Sequence, residues 1–219
     1  QTAQANGIFR PTSHRQSGAS EFGATPEMGS LHLSESKKNA KQEGAVIIFT
    51  DEATFRQTPT LHATWAPRGC QPKIPTRGER RSQKIFGAVR LETAEFTYLH
   101  HQENFQWETY RAFLDQVVLP AFYRRGHRVY LIQDNAGYHK KAELYDWFAE
   151  NRKRVEVFHL PPYWPELNAT ERVWHYTRVK VTHNRYFETS ESHCKALVKT
   201  FEEVRKEPRH IDNLIAPFR

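Results

Sequence analysis

Two short apolar runs, each followed by acidic residues, constrain the fold of this chain more than any other feature of its sequence. Residues 129–133 read VYLIQ and lead into Asp134; residues 45–49 read AVIIF and lead, after one threonine, into Asp51 and Glu52. Short runs of mostly apolar, β-prone residues predict buried strands. A carboxylate at the C-terminal tip of such a strand lies at the rim of the sheet, where open α/β folds bind their ligands.

Both acids also have an ordinary structural explanation. Asp134 and Asn135 are typical of a turn followed by a helix cap. The same arrangement of strand and acid at Asp51 favours a functional role for the two acids together. Because side chains alternate along a strand, we expect Asp51 and Glu52 to face opposite sides of the sheet.

The remaining periodic segments complete an α/β pattern. Further strands are predicted at residues 85–91, 96–100 and 155–160. Helical spacing predicts helices at residues 104–123, 140–151, 168–182 and 190–205. Three antiparallel strands followed by parallel strands with covering helices make the ribonuclease-H-like fold, an α/β fold with a central mixed five-stranded sheet flanked by helices. In that fold Asp51 and Asp134 lie on adjacent central strands, and an acid on a late helix can reach them.

Composition divides the chain into three parts. Residues 1–44 are rich in Ser, Gly, Gln, Thr and Asn, and we expect them to be disordered or loosely attached, with a short helix at 34–42. Residues 45–185 hold the predicted ribonuclease-H-like domain. Residues 186–219 are predicted to form a C-terminal helix and tail that pack on that domain.

The charge distribution favours a nucleic-acid partner. The net charge of +7 favours polyanions, although ribosomal or membrane-surface contacts would give the same sum. Seven Lys or Arg residues and one acid lie between residues 67 and 90, where prolines and glycines predict an extended loop before Gln83. Six of these basic residues are expected to contact the DNA backbone: Arg68, Lys73, Arg77, Arg80, Arg81 and Lys84. A solvated loop is the alternative. Trp65 is predicted to be a core residue or a loop anchor, with base stacking as the less favoured alternative.

Several classes of protein are disfavoured. No apolar run approaches the length of a membrane span, and no leader of secretory type is present. Cys70 and Cys194 stand alone without a CxxC pair, which indicates a reducing cytoplasm. The 12 histidines form no zinc-binding pattern.

The acids suit a hard cation. Three carboxylates with no cysteine nearby favour Mg²⁺ or Mn²⁺ over zinc. Two such ions, roughly 3.5–4 Å apart, can activate an attacking oxygen and stabilise the leaving oxygen in phosphodiester displacement. Glu166 and Glu171 are the candidates for the third acid. Glu171 is preferred because it is the third residue of a helix that Asn168 can cap, although closing a capping box with Asn168 is its alternative role.

Four motifs, in order, resemble those of the DDE transposases of the mariner superfamily, with the bacterial insertion sequence 630 family as the nearest branch. They are FTDEATF at 49–55, WAPRG at 65–69, QDNAGYH at 133–139 and LPPYWPELNATERVW at 160–174. The resemblance covers about residues 45–184, and the 36 residues between Asp134 and Glu171 suit the family's range. It implies that Asp51, Asp134 and Glu171 are the catalytic metal ligands.

The resemblance also implies an activity. A chain of this family hydrolyses DNA at the ends of a mobile element and joins the 3′-hydroxyl to a TA-containing target. The expected cofactors are two Mg²⁺ or Mn²⁺ ions. The expected partners are double-stranded DNA and a second copy of the chain, in a bacterial cytoplasm and associated with the nucleoid. Further residues are candidates for lining the site: Asn135, His139, which could instead cap the next helix, and Asn168.

Two other functions remain open at this level, and the chain departs from the family in places. It could be a nuclease of the same fold without strand transfer, or an inactive remnant that only binds DNA or dimerises. Ala169 stands where the family has Pro, and Thr170 where it has Ile. Residues 1–44 are too short and too polar to supply the family's N-terminal helix-turn-helix region, which predicts a truncated chain.

Overall fold

The computed structural model describes residues 26–76, 81–161 and 164–219. Its strands are β1 (Val46–Arg56), β2 (Ser82–Arg90), β3 (Phe96–His101), β4 (Val129–Gln133) and β5 (Val155–His159). Its helices are α1 (Pro26–Glu43), α2 (Trp107–Phe113), α3 (Leu119–Phe122), α4 (Ala142–Glu150), α5 (Ala169–Thr177), α6 (Ser190–Lys206) and α7 (Arg209–Ile215). Short 3₁₀ turns lie at Gly137–Lys140, Pro165–Leu167 and Ala216–Phe218.

The five strands form one mixed sheet in the order β3-β2-β1-β4-β5. β1 is antiparallel to β2 and parallel to β4, and β4 is parallel to β5. The predicted mixed sheet is therefore present, and the two strands that carry Asp51 and Asp134 are neighbours at its centre. This adjacency is what brings the two acids to the same end of the sheet.

Helices cover both faces of the sheet because β1 is apolar on both sides. Phe49 packs in one cluster with Trp174 of α5 and Phe201 of α6. Ile48, one residue earlier, packs in the other cluster with the helical segment that follows β3 and with α4. All four of these side chains are fully buried. The alternation fixes which face of the sheet receives α5, the helix that carries Glu171.

The prediction that β1 ends at its acid is wrong. β1 runs on to Arg56, and β2 pairs with it from Ile48 to that residue. β4 pairs only with Val46–Phe49. The continuation escaped the sequence pattern because residues 52–56 alternate buried and exposed positions instead of forming an apolar run. Asp51 therefore lies within β1, just past the point where β1 loses its parallel neighbour, whereas Asp134 directly follows the last residue of β4 as predicted.

The start of α5 is bonded to this uncovered edge of β1. The Thr170 hydroxyl donates to the Phe49 carbonyl at 3.1 Å, and the Asn168 side-chain amide donates to the Thr50 carbonyl at 3.1 Å. The Asn168 side-chain oxygen also accepts the Thr170 amide at 3.0 Å, so the predicted helix cap is confirmed. One asparagine thus caps α5 and fixes it beside Asp51.

Other elements differ from the predicted ones in length or regularity. α1 begins at Pro26, earlier than the predicted helix at 34–42, and Ala40 is buried in the core. The predicted helix at 104–123 contains a π-helical turn, Leu114–Val118, ahead of Pro120, which has no amide hydrogen for the helical ladder. α7 follows the last predicted helix.

The expectation for Trp65 is also wrong. This side chain is 98% exposed on the loop between β1 and β2, where no apolar neighbour covers it in the described ranges. Large aromatics are mostly buried, but this loop has no periodic pattern from which its exposure could be read.

We expect Gly87→Ala to destabilise the fold by about 1–3 kcal/mol, because overpacking a tight core forces side chains to shift. A Cβ at Gly87 of β2 would overlap the buried ring of Trp174 and press on Phe96. Urea denaturation measures the change. Gly137→Ala is the matched control because a Cβ there meets nothing within 4 Å. Equal stability of the two variants would show that the α5–sheet contact is loose.

Candidate active site

The three acids chosen from the sequence line one cleft of about 380 Å³ at the end of the sheet. Asp51 comes from β1, Asp134 from the tip of β4, and Glu171 from the first turn of α5. Asn135 and Asn168, also predicted to line the site, are in the same lining, as is Lys140. The fold thus gathers side chains from three separate elements at a single opening.

Asp51 is the most buried of the acids, with 8% of its surface exposed. Its Oδ2 accepts a hydrogen bond from Trp174 Nε1 at 2.9 Å. Burial raises the pKa of Asp51 well above its usual range, and the nearby carboxylates of Glu52, Glu171 and Asp134 raise it further, while the indole bond opposes them. A cation in the cleft would offset this accumulation of negative charge.

Asp134 differs from Asp51 because its carboxylate is held by two hydrogen-bond donors. Its Oδ1 lies 3.0 Å from His139 Nδ1 and accepts the Ala136 amide at 3.0 Å. Burial acts to raise the pKa of Asp134, but the hydrogen bonds from His139 and Ala136 outweigh it and hold the pKa below its ordinary value. Asp134 is therefore ionised at neutral pH.

His139 is a buried side chain in contact with the carboxylate of Asp134. Only 1% of its surface is exposed, and its ring packs against those of Tyr110 and Tyr138, with centroids 4.4 and 4.3 Å away. Its Nδ1 also lies 3.2 Å from the Asp134 backbone carbonyl. This packing leaves the ring little freedom, so His139 orients the carboxylate of Asp134.

A second acidic group adjoins the cleft. Within the described part of the chain, one group of three side chains brings possible ligand atoms within 4.8 Å of one another, and it consists of Glu52, Asp134 and His139. The Tyr138 hydroxyl donates to Glu52 at 2.5 Å. As the strand alternation predicted, Glu52 and Asp51 contact different partners. Asp134 is the residue shared by this group and the cleft.

Glu171 lies at the mouth of the cleft, with 40% of its side chain exposed and Arg178 Nη1 3.9 Å from its carboxylate. Burial raises the pKa of Glu171, Arg178 lowers it, and Asp134 raises it. Glu166 is exposed on the preceding turn. The position of Glu171 as the third residue of a helix anchored to β1 gives it the fixed backbone that a metal ligand needs.

The predicted DNA-contacting residues are spread along the loop and β2. Arg68, Lys73 and Arg81 are exposed, and Lys84 donates to the Asn104 side chain at 2.5 Å. Arg77 and Arg80 lie outside the described residues.

Two groups of supporting residues were missed by the sequence analysis. Trp174, which holds Asp51, is one. The other is a series of hydrogen-bonded side chains beneath the site. The Tyr110 hydroxyl lies 2.8 Å from Thr50 Oγ1 and donates to the Gln133 side chain at 2.7 Å. The Gln133 side chain also lies 2.9 Å from His159 Nε2. Strand alternation could have flagged Thr50 and Gln133 as polar residues in buried runs, but their partners are distant in sequence.

A mixed five-stranded sheet with acids from two adjacent central strands and a late helix at one cleft defines the ribonuclease-H-like class of nucleic-acid-processing domains. Residues 46–194 match the family described as DDE superfamily endonuclease. The chain belongs to this family.

Individual proteins agree with this assignment. Over 173 residues the chain is 27% identical to the insertion element IS630 uncharacterized 39 kDa protein of Shigella sonnei. The aligned region covers 78% of this chain and 46% of that relative. The chain therefore spans about half the length of that relative. The motif resemblance to insertion sequence 630 and mariner transposases is thus confirmed.

Solved structures show the same fold. The Mos1 transposase paired-end complex with left transposon end has a TM-score of 0.61 at 14% identity, covering 95% of this chain and 65% of that one. The Mos1 mariner paired end complex with Mn has a TM-score of 0.59 at 16% identity, covering 95% and 64%. The predicted ribonuclease-H-like fold is confirmed.

No helix within residues 26–76, 81–161 and 164–219 has both the length and the apolar character to cross a bilayer.

We expect Asp51→Asn to raise the melting temperature at pH 7 in the presence of EDTA. The pKa of Asp51 is raised by folding, so the folded state binds the proton more tightly and stability falls as pH rises from the ordinary carboxyl pKa through the raised one. Asparagine does not ionise, so the variant avoids this loss of stability, and its side-chain oxygen can still accept the hydrogen bond from the Trp174 indole. Each kcal/mol gained adds about 2–4 °C, measured by calorimetry.

The gain should shrink towards zero as the pH is lowered below the ordinary pKa of Asp, about 3.9. Glu166→Gln is the control, because it removes one exposed negative charge at the same end of the sheet. An Asp51→Asn variant that is less stable than the parent at every pH would contradict the assigned cost of ionising Asp51.

Proposed function

We propose that this chain is the catalytic domain of a DNA transposase, which cleaves strands at the ends of a mobile element and joins the 3′-hydroxyl to a TA-containing target. The observation that carries the proposal is the convergence of Asp51, Asp134 and Glu171 on one cleft in a chain of the DDE superfamily endonuclease family. Residues 45–185 form the catalytic unit in this proposal, with 186–219 packed on it.

The donor set suits a divalent cation. All three proposed ligands are carboxylates, which Mg²⁺ and Mn²⁺ prefer. Burial and three neighbouring carboxylates raise the pKa of Asp51, so a bound cation would favour the ionised form of this carboxylate. Bound there, one or two such ions would stabilise the negative charge that develops on the attacking, leaving and phosphoryl oxygens. Two ions are proposed, held by Asp51, Asp134 and Glu171.

The chain's own residues position these ligands. Trp174 fixes one oxygen of Asp51, and His139 fixes one oxygen of Asp134. These contacts leave each carboxylate a second oxygen for the cleft. Lys140, exposed in the cleft lining, is placed to neutralise a phosphate that enters it.

Double-stranded DNA and a second copy of the chain are the proposed partners, in a bacterial cytoplasm and associated with the nucleoid. The net charge of +7 supports a polyanionic partner. The Mos1 structures of the same fold contain a left transposon end in one case and Mn in another. Six residues are proposed to contact the DNA backbone: Arg68, Lys73, Arg77, Arg80, Arg81 and Lys84.

We expect Glu171→Gln to reduce Mn²⁺-dependent nicking of supercoiled plasmid DNA by at least about 100-fold. A metal ion contributes several kcal/mol of charge stabilisation, and each tenfold in rate corresponds to about 1.36 kcal/mol. The substitution keeps the size of the side chain and removes its charge, so far-ultraviolet circular dichroism should show an unchanged fold. Gel electrophoresis of the plasmid forms measures the rate.

Glu166→Gln is the matched control and should retain most of the activity, because Glu166 is exposed on the turn before α5. If Glu166→Gln loses the activity and Glu171→Gln keeps it, the third ligand is misassigned. If neither the parent chain nor any variant nicks DNA with Mn²⁺ or Mg²⁺, the proposed function fails.

A further inference from the structure

A second, larger groove of about 1030 Å³ lies between the far half of β1, the loop that follows it, and the end of the helix that carries Glu171. Most of the described residues that line the groove carry a hydroxyl or guanidinium group, beside Phe55, Pro59 and Leu61. Hydroxyls come from Thr54, Thr58, Thr60, Thr76, Ser82 and Thr182, and guanidinium groups from Arg56 and Arg178. No carboxylate is among the described residues that line it.

The wall of the groove is built into the fold. The Thr60 amide donates to the Thr182 carbonyl at 3.4 Å, and the Asn184 amide donates to the Thr60 carbonyl at 2.9 Å. The side chain of Asn184 accepts the His62 amide at 2.9 Å and donates to the His62 carbonyl at 2.8 Å. These four bonds tie the start of the loop to the segment after α5, so this wall of the groove is held by the fold.

The groove is next to the cleft. Arg178, on the π-helical turn that continues α5, lies 3.9 Å from Glu171 and stacks 5.5 Å from the ring centroid of Phe55. Arg178 therefore marks the boundary between the acids and the hydroxyl-lined groove. Arg56, exposed at the last residue of β1, is the second cation of the lining.

Guanidinium and hydroxyl groups are the usual contacts of phosphate and sugar oxygens in DNA complexes. Phe55, the one aromatic residue among the described lining, is 2% exposed and cannot serve as a stacking platform for bases. The chemistry therefore suits the backbone of a strand and not its sequence.

We propose that this groove binds the sugar-phosphate backbone of the DNA strand that leads into the candidate active site, with Arg56 as its phosphate contact farthest from the acids. The proposal rests on the proposed function, since it requires that the chain acts on DNA. A free single strand and one strand of a duplex present the same phosphodiester chemistry, so both are used in its test.

The test compares Arg56→Gln with Arg125→Gln in the full chain. Arg125 is an exposed cation outside the groove lining, so its substitution removes the same charge elsewhere. Binding to a short fluorescein-labelled oligonucleotide, single-stranded and duplex, is followed by fluorescence anisotropy over a range of salt concentrations. For Arg56→Gln we expect weaker binding and a slope of log K against log salt lowered by about 0.7 on single strands or about 0.9 on duplex.

Arg125→Gln should keep the parent slope, and Arg56→Lys should restore most of the slope lost in Arg56→Gln. A slope change confined to one form of DNA identifies the form that the groove binds. Mn²⁺ bound at the acids should raise the melting temperature, because it would bind the folded state and not the unfolded one. This rise should be equal in the parent and Arg56→Gln, since Arg56 is not a proposed metal ligand.

Equal slopes for Arg56→Gln and Arg125→Gln, with the parent binding DNA, would overturn the groove assignment and leave the proposed function standing. A parent chain that binds neither form of DNA would overturn both. If Mn²⁺ no longer raises the melting temperature of Arg56→Gln, the groove assignment is also overturned, because Arg56 would then act through the metal site.

Discussion

The carboxylate of Asp51 is removed from water beside three other carboxylates, and much of the surrounding structure follows from that burial. A buried carboxylate needs hydrogen-bond donors or a counter-charge to remain ionised. One donor, the indole of Trp174, comes from α5, whose own position is fixed by Asn168 and Thr170 on the carbonyls of β1. The same helix presents Glu171 one turn earlier. The contact that accommodates the first acid therefore also places the third.

Asp134 meets the opposite environment, although it directly follows the adjacent strand. Donors from His139 and Ala136 stabilise its charge, whereas burial and neighbouring acids disfavour the charge of Asp51. A divalent cation in the cleft would supply the counter-charge that Asp51 needs, beside the ionised and oriented carboxylate of Asp134. Glu52 adds a fourth acid on the His139 side, so a cation in the cleft would lie close to more negative charge than its three proposed ligands supply.

Local signals in the sequence were sufficient for the parts of this site that short segments determine. The strand before Asp134, the cap at Asn168 and the place of Glu171 in the first turn each depend on a few consecutive residues. The contacts that hold the acids do not. Trp174 and Asp51 are 123 residues apart, and Tyr138 and Glu52 are 86 apart. β1 was predicted to end too early because its second half alternates polar and apolar residues at the edge that β4 leaves uncovered.

The most direct measurement is the anomalous scattering of Mn²⁺ in crystals of this chain grown with the ion. A peak in the cleft within coordination distance of Asp51 and Asp134, and weakened in crystals of Glu171→Gln, is the predicted result. That result would show that the acids from β1, β4 and α5 hold the cation together. A peak held by Glu52, Asp134 and His139, with Asp51 and Glu171 uninvolved, would contradict the assignment of the three ligands.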